Sequence, residues 1–298
     1  MSKLVLVDGN AIMHRAFHAI PSTFTTKEGH PINAVYGFTS MILKIIQDLE
    51  PTHIAVCFDR KEPTFRKKEF KDYQAHRPEM DVDLSPQFPK AKEVLESMRI
   101  PVYEKAGFEA DDVIGTVAKK TRVDEVVIAT GDKDILQLVD KRIKVYLPIK
   151  GLSIAELMDE EKVEEKMGVR PDQIVDYKGL VGDPSDNYKG VLGIGPKTAE
   201  KLLGEHDSFK MIYKNIKKID ERIAKKLIEH KKSADMSYKL AKIITNVDVK
   251  YDLDDMNDWG VFSREAEEIF DKYRFRSISK RAEILSGKLN QKDQLTLV

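Results

Sequence analysis

The chain has a single cysteine, Cys57, among its 298 residues, which excludes an internal disulfide. Set within the apolar run His53 to Phe58, it reads as a reduced core residue of a cytoplasmic protein. Net charge is also missing. Fifty basic and fifty acidic residues balance to a formal +0, so any nucleic-acid partner has to be met by local patches and not by a global positive field. No stretch approaches the roughly 18 apolar residues of a membrane span. Met1-Ser2-Lys3 leads straight into a strand-like segment without a signal-type apolar region, so the expectation is a soluble intracellular protein with no membrane association. The seven histidines are scattered and no Cys/His cluster exists, which argues against a zinc or copper centre. Internal repeats and low-complexity tracts are absent as well. What is present is 41% hydrophobic content, enough to build the core of one large or two modest domains.

The first half alternates strand-like and helix-like periods, the pattern of an α/β fold with a mostly parallel central sheet and flanking helices. The strand candidates are Lys3 to Val7, His53 to Phe58, Glu125 to Thr130 and Ile143 to Leu147. Apolar stripes predict helices over Ala34 to Leu49 and Asp112 to Lys120. From about Ile154 the strand signal fades and short helical patterns broken by Gly, Pro and Asn take over. The expected division is an α/β lobe over 1–160, a helical lobe over 161–286 and an exposed tail over 287–298. Within the first lobe, Arg60 to Pro86 is long for a connection and changes from basic to acidic along its length.

In a parallel sheet the carboxyl ends of the strands share one edge. Asp8, Asp59 and the pair Asp132 and Asp134 each follow a different strand candidate. Glu109-Ala110-Asp111-Asp112 opens a helix, and Asp183 and Asp186 follow the apolar segment Ile174 to Val181. Each acid alone reads more readily as a turn former or helix N-cap than as a site residue. Nine converging carboxylates, however, repel one another unless a cation neutralises them. Oxygen-only ligands suit Mg²⁺ or Mn²⁺, and two such ions ~4 Å apart are the usual clamp for displacement at phosphorus. Phosphodiester hydrolysis is the leading chemistry.

Gly193-Ile194-Gly195-Pro196-Lys197-Thr198 precedes a helix candidate but is no dinucleotide fingerprint, since no strand leads into it. Its glycines, free N–H groups and Lys197 suit a phosphate; a tight helix–helix connection is the plain alternative. Arg60 to Arg77 interleaves seven basic residues, Arg66 among them, with Phe65, Phe70 and Tyr73, as single-strand binding surfaces do. The basic run Lys210 to Lys232 reads better as a solvated helix face.

Taken as an ordered set, Val7-Asp8-Gly9-Asn10, Arg15-Ala16-Phe17-His18, Phe58-Asp59, Tyr73 to Pro78, Glu109 to Asp112, Gly131-Asp132-Lys133-Asp134, Gly182 to Asn187 and Gly193 to Thr198 resemble the bacterial 5′-nuclease family. These are the flap endonucleases that also form the amino-terminal 5′→3′ exonuclease domain of DNA polymerase I, and the likeness covers nearly the whole chain. The resemblance implies a PIN-like or resolvase-like nuclease lobe and a helical arch over about 60–98. It also implies a C-terminal lobe with a helix-hairpin-helix-type turn that grips duplex DNA. It implies a monomer of the bacterial nucleoid-associated cytoplasm, acting on DNA with 5′ flaps, nicks or free 5′ ends. By similarity Asp8, Asp59, Glu109, Asp111, Asp112 and Asp132 surround a first metal and Asp134, Asp183 and Asp186 a second. Arg15, Lys133, Arg77 and Tyr73 steer the scissile phosphate and threaded strand, and K⁺ sits at the turn of Gly193, Gly195 and Lys197. In this family a lysine usually follows the arch tyrosine; here it is Gln74, and a neighbour such as Lys71 is the expected substitute. The chain stops where a polymerase would begin, which implies a free-standing nuclease or an excised domain.

Two other classes compete: a binding-only relative, which would lack the acids at 183 and 186, and a phosphatase, which would want an Asp-x-Asp after the first strand where Asp8-Gly9-Asn10 stands. Finally, Gln294-Leu295-Thr296-Leu297-Val298 looks like the peptide that docks bacterial replication proteins on the sliding clamp, with Gln294, Leu295 and Leu297 as contacts in an extended tail.

Overall fold

A computed structural model describes residues 1–150 and 154–296, with side chains described as far as 149 and from 154 to 291. Six strands, β1 (Lys3–Asp8), β2 (His53–Cys57), β3 (Val102–Tyr103), β4 (Glu125–Ala129), β5 (Ile143–Lys150) and β6 (Ile154–Met158), form one sheet in the order β3-β2-β1-β4-β5-β6. The first five run parallel and β6 pairs antiparallel to β5. All four strand candidates are present. The two unanticipated strands are edges: β3 has only two residues, and the first four residues of β6 are at least partly exposed, so neither carries the fully buried apolar run that marks the central strands. The strand signal expected to fade at Ile154 therefore continues through Met158.

Fourteen α-helices accompany the sheet among the described residues. The first eight are α1 (Gly9–Ala19), α2 (Asn33–Leu49), α3 (Phe65–Glu69), α4 (Gln87–Ser97), α5 (Ala110–Lys120), α6 (Glu160–Met167), α7 (Ile174–Val181) and α8 (Pro196–His206). They continue with α9 (Phe209–Lys214), α10 (Glu221–Glu229), α11 (Lys231–Ala241), α12 (Leu253–Asn257), α13 (Arg264–Lys272) and α14 (Arg276–Thr296). Alternate residues of β1 feed two cores, as a strand buried on both faces requires. Val5 and Val7 join Phe38, Ile42, Val94, Phe270 and Phe275 from α2, α4 and the α13–α14 region. Leu4 and Leu6 join Val113, Ile114 and Val117 of α5, and this core runs on without a break into Ile174, Leu180, Ala199 and Leu202 of the helical part.

Burying about 75 Å² more apolar surface in such a core contributes roughly 2 kcal/mol, so this continuity ties the helical part to the sheet. Between α3 and α4 the arch region is a series of turns. The helix α14 carries regular backbone to Thr296, so the exposed tail is helical from Gly287 to Thr296, and the extended form expected of the peptide from Gln294 is not seen as far as Thr296. The side chains of Gln294 and Leu295, and all of Leu297, lie outside the described residues.

Candidate active site

Strand order reverses between β1 and β4, and the crevice beyond their carboxyl ends is where such sheets place a ligand. Asp8 ends β1 and caps α1, accepting from Ala11 N at 3.0 Å while its other oxygen accepts from Thr130 Oγ1 at 2.6 Å. Turn former and site residue are thus the same side chain. Asp59, just beyond β2, accepts from Ala110 N at the start of α5 at 2.7 Å, and its own N–H goes to Asn10 Oδ1 at 2.9 Å. After β4, Thr130 Oγ1 receives Asp132 N at 3.0 Å and Asp132 Oδ1 receives Asp134 N at 2.8 Å, so a chain of short bonds fixes both acids.

Asp8, Asp59, Glu109, Asp111, Asp132, Asp134 and Asp186 line one cavity of about 640 Å³. Asp183 faces an adjoining groove of about 530 Å³, together with Asp132 and Asp134, Arg15, Lys133 and Ser185. The two spaces share Asp132 and Asp134. Ligand oxygens of Asp134, Asp183 and Asp186 all fall within 4.8 Å of one another.

Burial, and after it the crowding of like charge, raises the proton affinity of several of these acids. Burial first, then Asp59 and Asp132, push Asp8 up to about 6 against the bonds from Ala11 and Thr130. Burial also lifts Glu109 to about 7 and Asp134 to about 6, and raises Asp59. Asp111 is held well above the ordinary range by burial and then by Asp132, Asp8, Asp59 and Glu109.

Three cations offset part of this charge. Arg66, expected on DNA, is 2% exposed. Its guanidinium forks onto Asp112 at 2.7 and 2.9 Å and also donates to the carbonyls of Leu240 and Lys242 at 2.9 Å. That corrects the expectation of an exposed contact with a strand: Arg66 borders the cavity, but four bonds commit its guanidinium to protein acceptors. Asp112 is corrected with it: fully buried, off both cavity walls, it accepts from Arg66 and from Ile244 N at 2.8 Å. A metal ligand needs a lone pair facing the ion; Asp112 spends its oxygens joining the arch base, α5 and the segment after α11. Arg77 pairs with Asp186 at 2.7 Å. Lys178 on α7, not singled out from the sequence, bonds Asp134 and, at 2.6 Å, Asp183. Burial opposes its charge, but Asp134 and Asp183 outweigh burial and hold the ammonium above its usual proton affinity. The available signal was a lysine in a short, mostly apolar helix that also holds Asp176, five residues before Asp183.

Tyr73 is a further revision. At 4% exposure it offers no ring for stacking; its hydroxyl reaches Glu109 at 3.3 Å and Asp186 at 3.2 Å, linking the two groups of acids. Lys67 bonds Tyr73 O at 2.8 Å and lines the cavity beside Gln74 and Arg77, whereas Lys71 does not line it. Lys67, and not Lys71, is thus the lysine of this stretch that stands on the cavity wall. Arg15 donates to Pro148 O at 3.2 Å and shares the groove wall with exposed Lys133.

At the glycine turn Gly193 has φ +80°, a left-handed value that favours glycine, and Gly195 caps α8. Lys197 is exposed. Lys226 on α10 donates to Gly193 O at 3.0 Å, so an ammonium already stands where the resemblance implies K⁺.

Comparison with known proteins agrees with this architecture. Residues 3–168 match the 5′-3′ exonuclease N-terminal resolvase-like domain and residues 169–262 the 5′-3′ exonuclease C-terminal SAM fold. The chain belongs to the 5′-3′ exonuclease family. It is 42% identical over 284 residues to DNA polymerase I of Caldicellulosiruptor bescii, a match covering 94% of this chain and 33% of that protein. The DNA polymerase I of Bacillus subtilis is 40% identical over 282 residues, covering 94% and 32%. The chain therefore spans about a third of the length of these curated relatives. Among solved structures, the bacteriophage T5 flap endonuclease in a pseudo-enzyme-product complex with DNA and metal ions has a TM-score of 0.66 at 19% identity, covering 94% of this chain and 99% of that one. Human GEN1 in complex with Holliday junction DNA has a TM-score of 0.61 at 14% identity, covering 95% and 71%. At such identities the likeness is one of fold.

Proposed function

We propose that the chain is a structure-specific DNA 5′-nuclease that hydrolyses phosphodiesters at 5′ flaps, nicks and free 5′ ends with two divalent cations, Mg²⁺ or Mn²⁺. The observation that carries this reading is the convergence of carboxylates from β1, β2, β4, α5 and the loop after α7, with three oxygens within 4.8 Å of one another. The donor set fits hard cations, being all oxygen, and the proton affinities of Asp8, Asp111 and Asp134 are raised by burial first and by neighbouring acids after it. Asp8, Asp59, Glu109, Asp111 and Asp132 would hold one ion and Asp134, Asp183 and Asp186 the other. Bound there, the ions supply charge stabilisation at phosphorus and a more acidic water.

The protein's own groups do the rest. Thr130 and Ala110 N fix the orientation of Asp8 and Asp59, and Tyr73 ties Glu109 to Asp186. Arg15 and Lys133 offer positive charge to the phosphate in the groove, while Lys67 and Arg77 do so beneath the arch. Duplex DNA would lie on the turn at Gly193 to Lys197, with Lys226 supplying charge there whether or not K⁺ binds. The function belongs to replication and repair in the bacterial cytoplasm, and docking on the sliding clamp through residues 294–297 is a separate proposal that truncation at Asp293 would test.

Incubation with a labelled 5′-flap substrate in Mg²⁺ should give cleavage near the junction. Chelator should abolish it, and Asp134→Ala and Asp183→Ala should each lower the rate by at least ~10². Cleavage in chelator, or unimpaired cutting by both variants, overturns the reading.

A further inference from the structure

Among the described residues only two buried side-chain polar atoms lack a hydrogen-bond partner, Thr26 Oγ1 and the Tyr188 hydroxyl. Thr26 is in the loop after α1, where its N–H bonds the His30 carbonyl, far in sequence from every candidate metal ligand of the triad. Tyr188 is different. It is 3% exposed and its backbone forms a two-bond bridge with Asp183, N–H to O at 2.7 Å one way and 3.0 Å the other. The side chain therefore rides on the same short turn as two candidate metal ligands, Asp183 and Asp186. Its ring packs with Tyr73, Leu240 and Ala241. Burial keeps the phenol protonated, and the carboxylates of Asp134, Asp183 and Asp186, in that order, reinforce it. Those are the three acids of the compact triad.

An apolar slot lined by Leu240 and Ala241 would accept phenylalanine as well as tyrosine, and phenylalanine would bring no unpaired oxygen into it. A buried hydroxyl without a partner is a cost to the folded protein, so its presence points to a state in which the bond is made. The triad shows what changes between the two states: Lys178 now donates to Asp134 and Asp183, and a divalent cation entering there has to displace that ammonium.

We propose that Tyr188 is a positioning residue for the second cation, its hydroxyl donating to a carboxylate of the triad Asp134, Asp183 and Asp186 once Lys178 has given way to the ion. The inference rests on the metal reading of the triad given above. Outer hydrogen bonds of this kind fix the orientation of a ligating carboxylate and typically change metal affinity by about 10- to 100-fold.

The test uses the full chain without DNA, titrated with Mn²⁺ and followed by calorimetry and by the electron paramagnetic resonance of free Mn²⁺. Parent protein, Tyr188→Phe and Asp183→Asn are compared, together with their melting temperatures in chelator. The expected result is that Tyr188→Phe weakens, about tenfold, the same Mn²⁺ site that Asp183→Asn weakens, while its melting temperature without metal is unchanged or higher because an unpaired oxygen has been removed. An unchanged Mn²⁺ isotherm for Tyr188→Phe overturns the inference. So does a lower metal-free melting temperature with unaltered affinity, which would make the hydroxyl merely structural. If Asp183→Asn also binds like the parent, the metal reading of the triad itself fails, and the role of Tyr188 falls with it.

Discussion

Arg66 shows how a single side chain changes meaning between sequence and fold. In the chain it is one of seven cations in a basic stretch; in the molecule it is a buried fork joining Asp112, Leu240 O and Lys242 O. Breaking a buried pair on one side leaves an uncompensated charge, so Arg66→Met should destabilise the protein by about 3–5 kcal/mol in denaturant unfolding. A loss below ~1 kcal/mol would show that Asp112 finds another partner. Lys67 and Lys71 form the complementary case, two lysines of similar exposure with different outlooks. Lys67→Ala should slow single-turnover flap cleavage on the order of 10²-fold, as loss of a charge facing the phosphate does, with Lys71→Ala near the parent rate. The reverse order would return the role to Lys71. The acids were legible because a residue just past a strand has one place to point; Arg66, Asp112 and Lys178 were not, because their partners lie 46, 132 and 44 positions away.

The loop from Gly182 to Gly190 is the most constrained small element of the site. Gly182 has φ +74°, and a Cβ there would come within 2.4 Å of the Lys189 carbonyl carbon and 2.5 Å of Tyr188 O. Both the strain and the clash are backbone-borne, so Gly182→Ala should cost about 2–3 kcal/mol and displace Asp183, lowering metal affinity as well as melting temperature. Normal Mn²⁺ binding by that variant would mean the loop relaxes without moving its acids. Elements of this kind are readable as glycine-rich turns but not as close approaches, since which backbone segments meet depends on the fold around them. The two edge strands were lost for the opposite reason: β6 is partly exposed, and its Ile-Ala-Glu-Leu-Met carries a helix-compatible pattern that only pairing with β5 decides. The central strands needed no such help, because continuous apolar runs have one use in a layered sheet.

At the scale of the whole molecule, zero net charge and a strongly polarised interior coexist. Acids whose proton affinity is raised by folding, Asp8 to about 6 and Glu109 to about 7, contribute stability that is complete below their unfolded values near 4 and is lost as pH rises through the folded ones. In chelator the melting temperature should therefore fall between about pH 5 and pH 7. Added Mg²⁺ should reverse the fall most strongly at the upper end, as scanning calorimetry would show; a flat profile would mean that the crevice is better solvated than its burial implies. Affinity for flap DNA should drop by about 10³ between 50 and 200 mM salt if about six phosphates are contacted.

The ammonium of Lys178 and the guanidinium of Arg77 have one more consequence. A protein that brings its own counter-charges into an acidic crevice can complete folding before it ever encounters an ion. Withdrawal of metal should then silence it while leaving circular dichroism intact, and readdition should restore it within the mixing time of the experiment. Starvation for divalent ions would store such an enzyme, not destroy it.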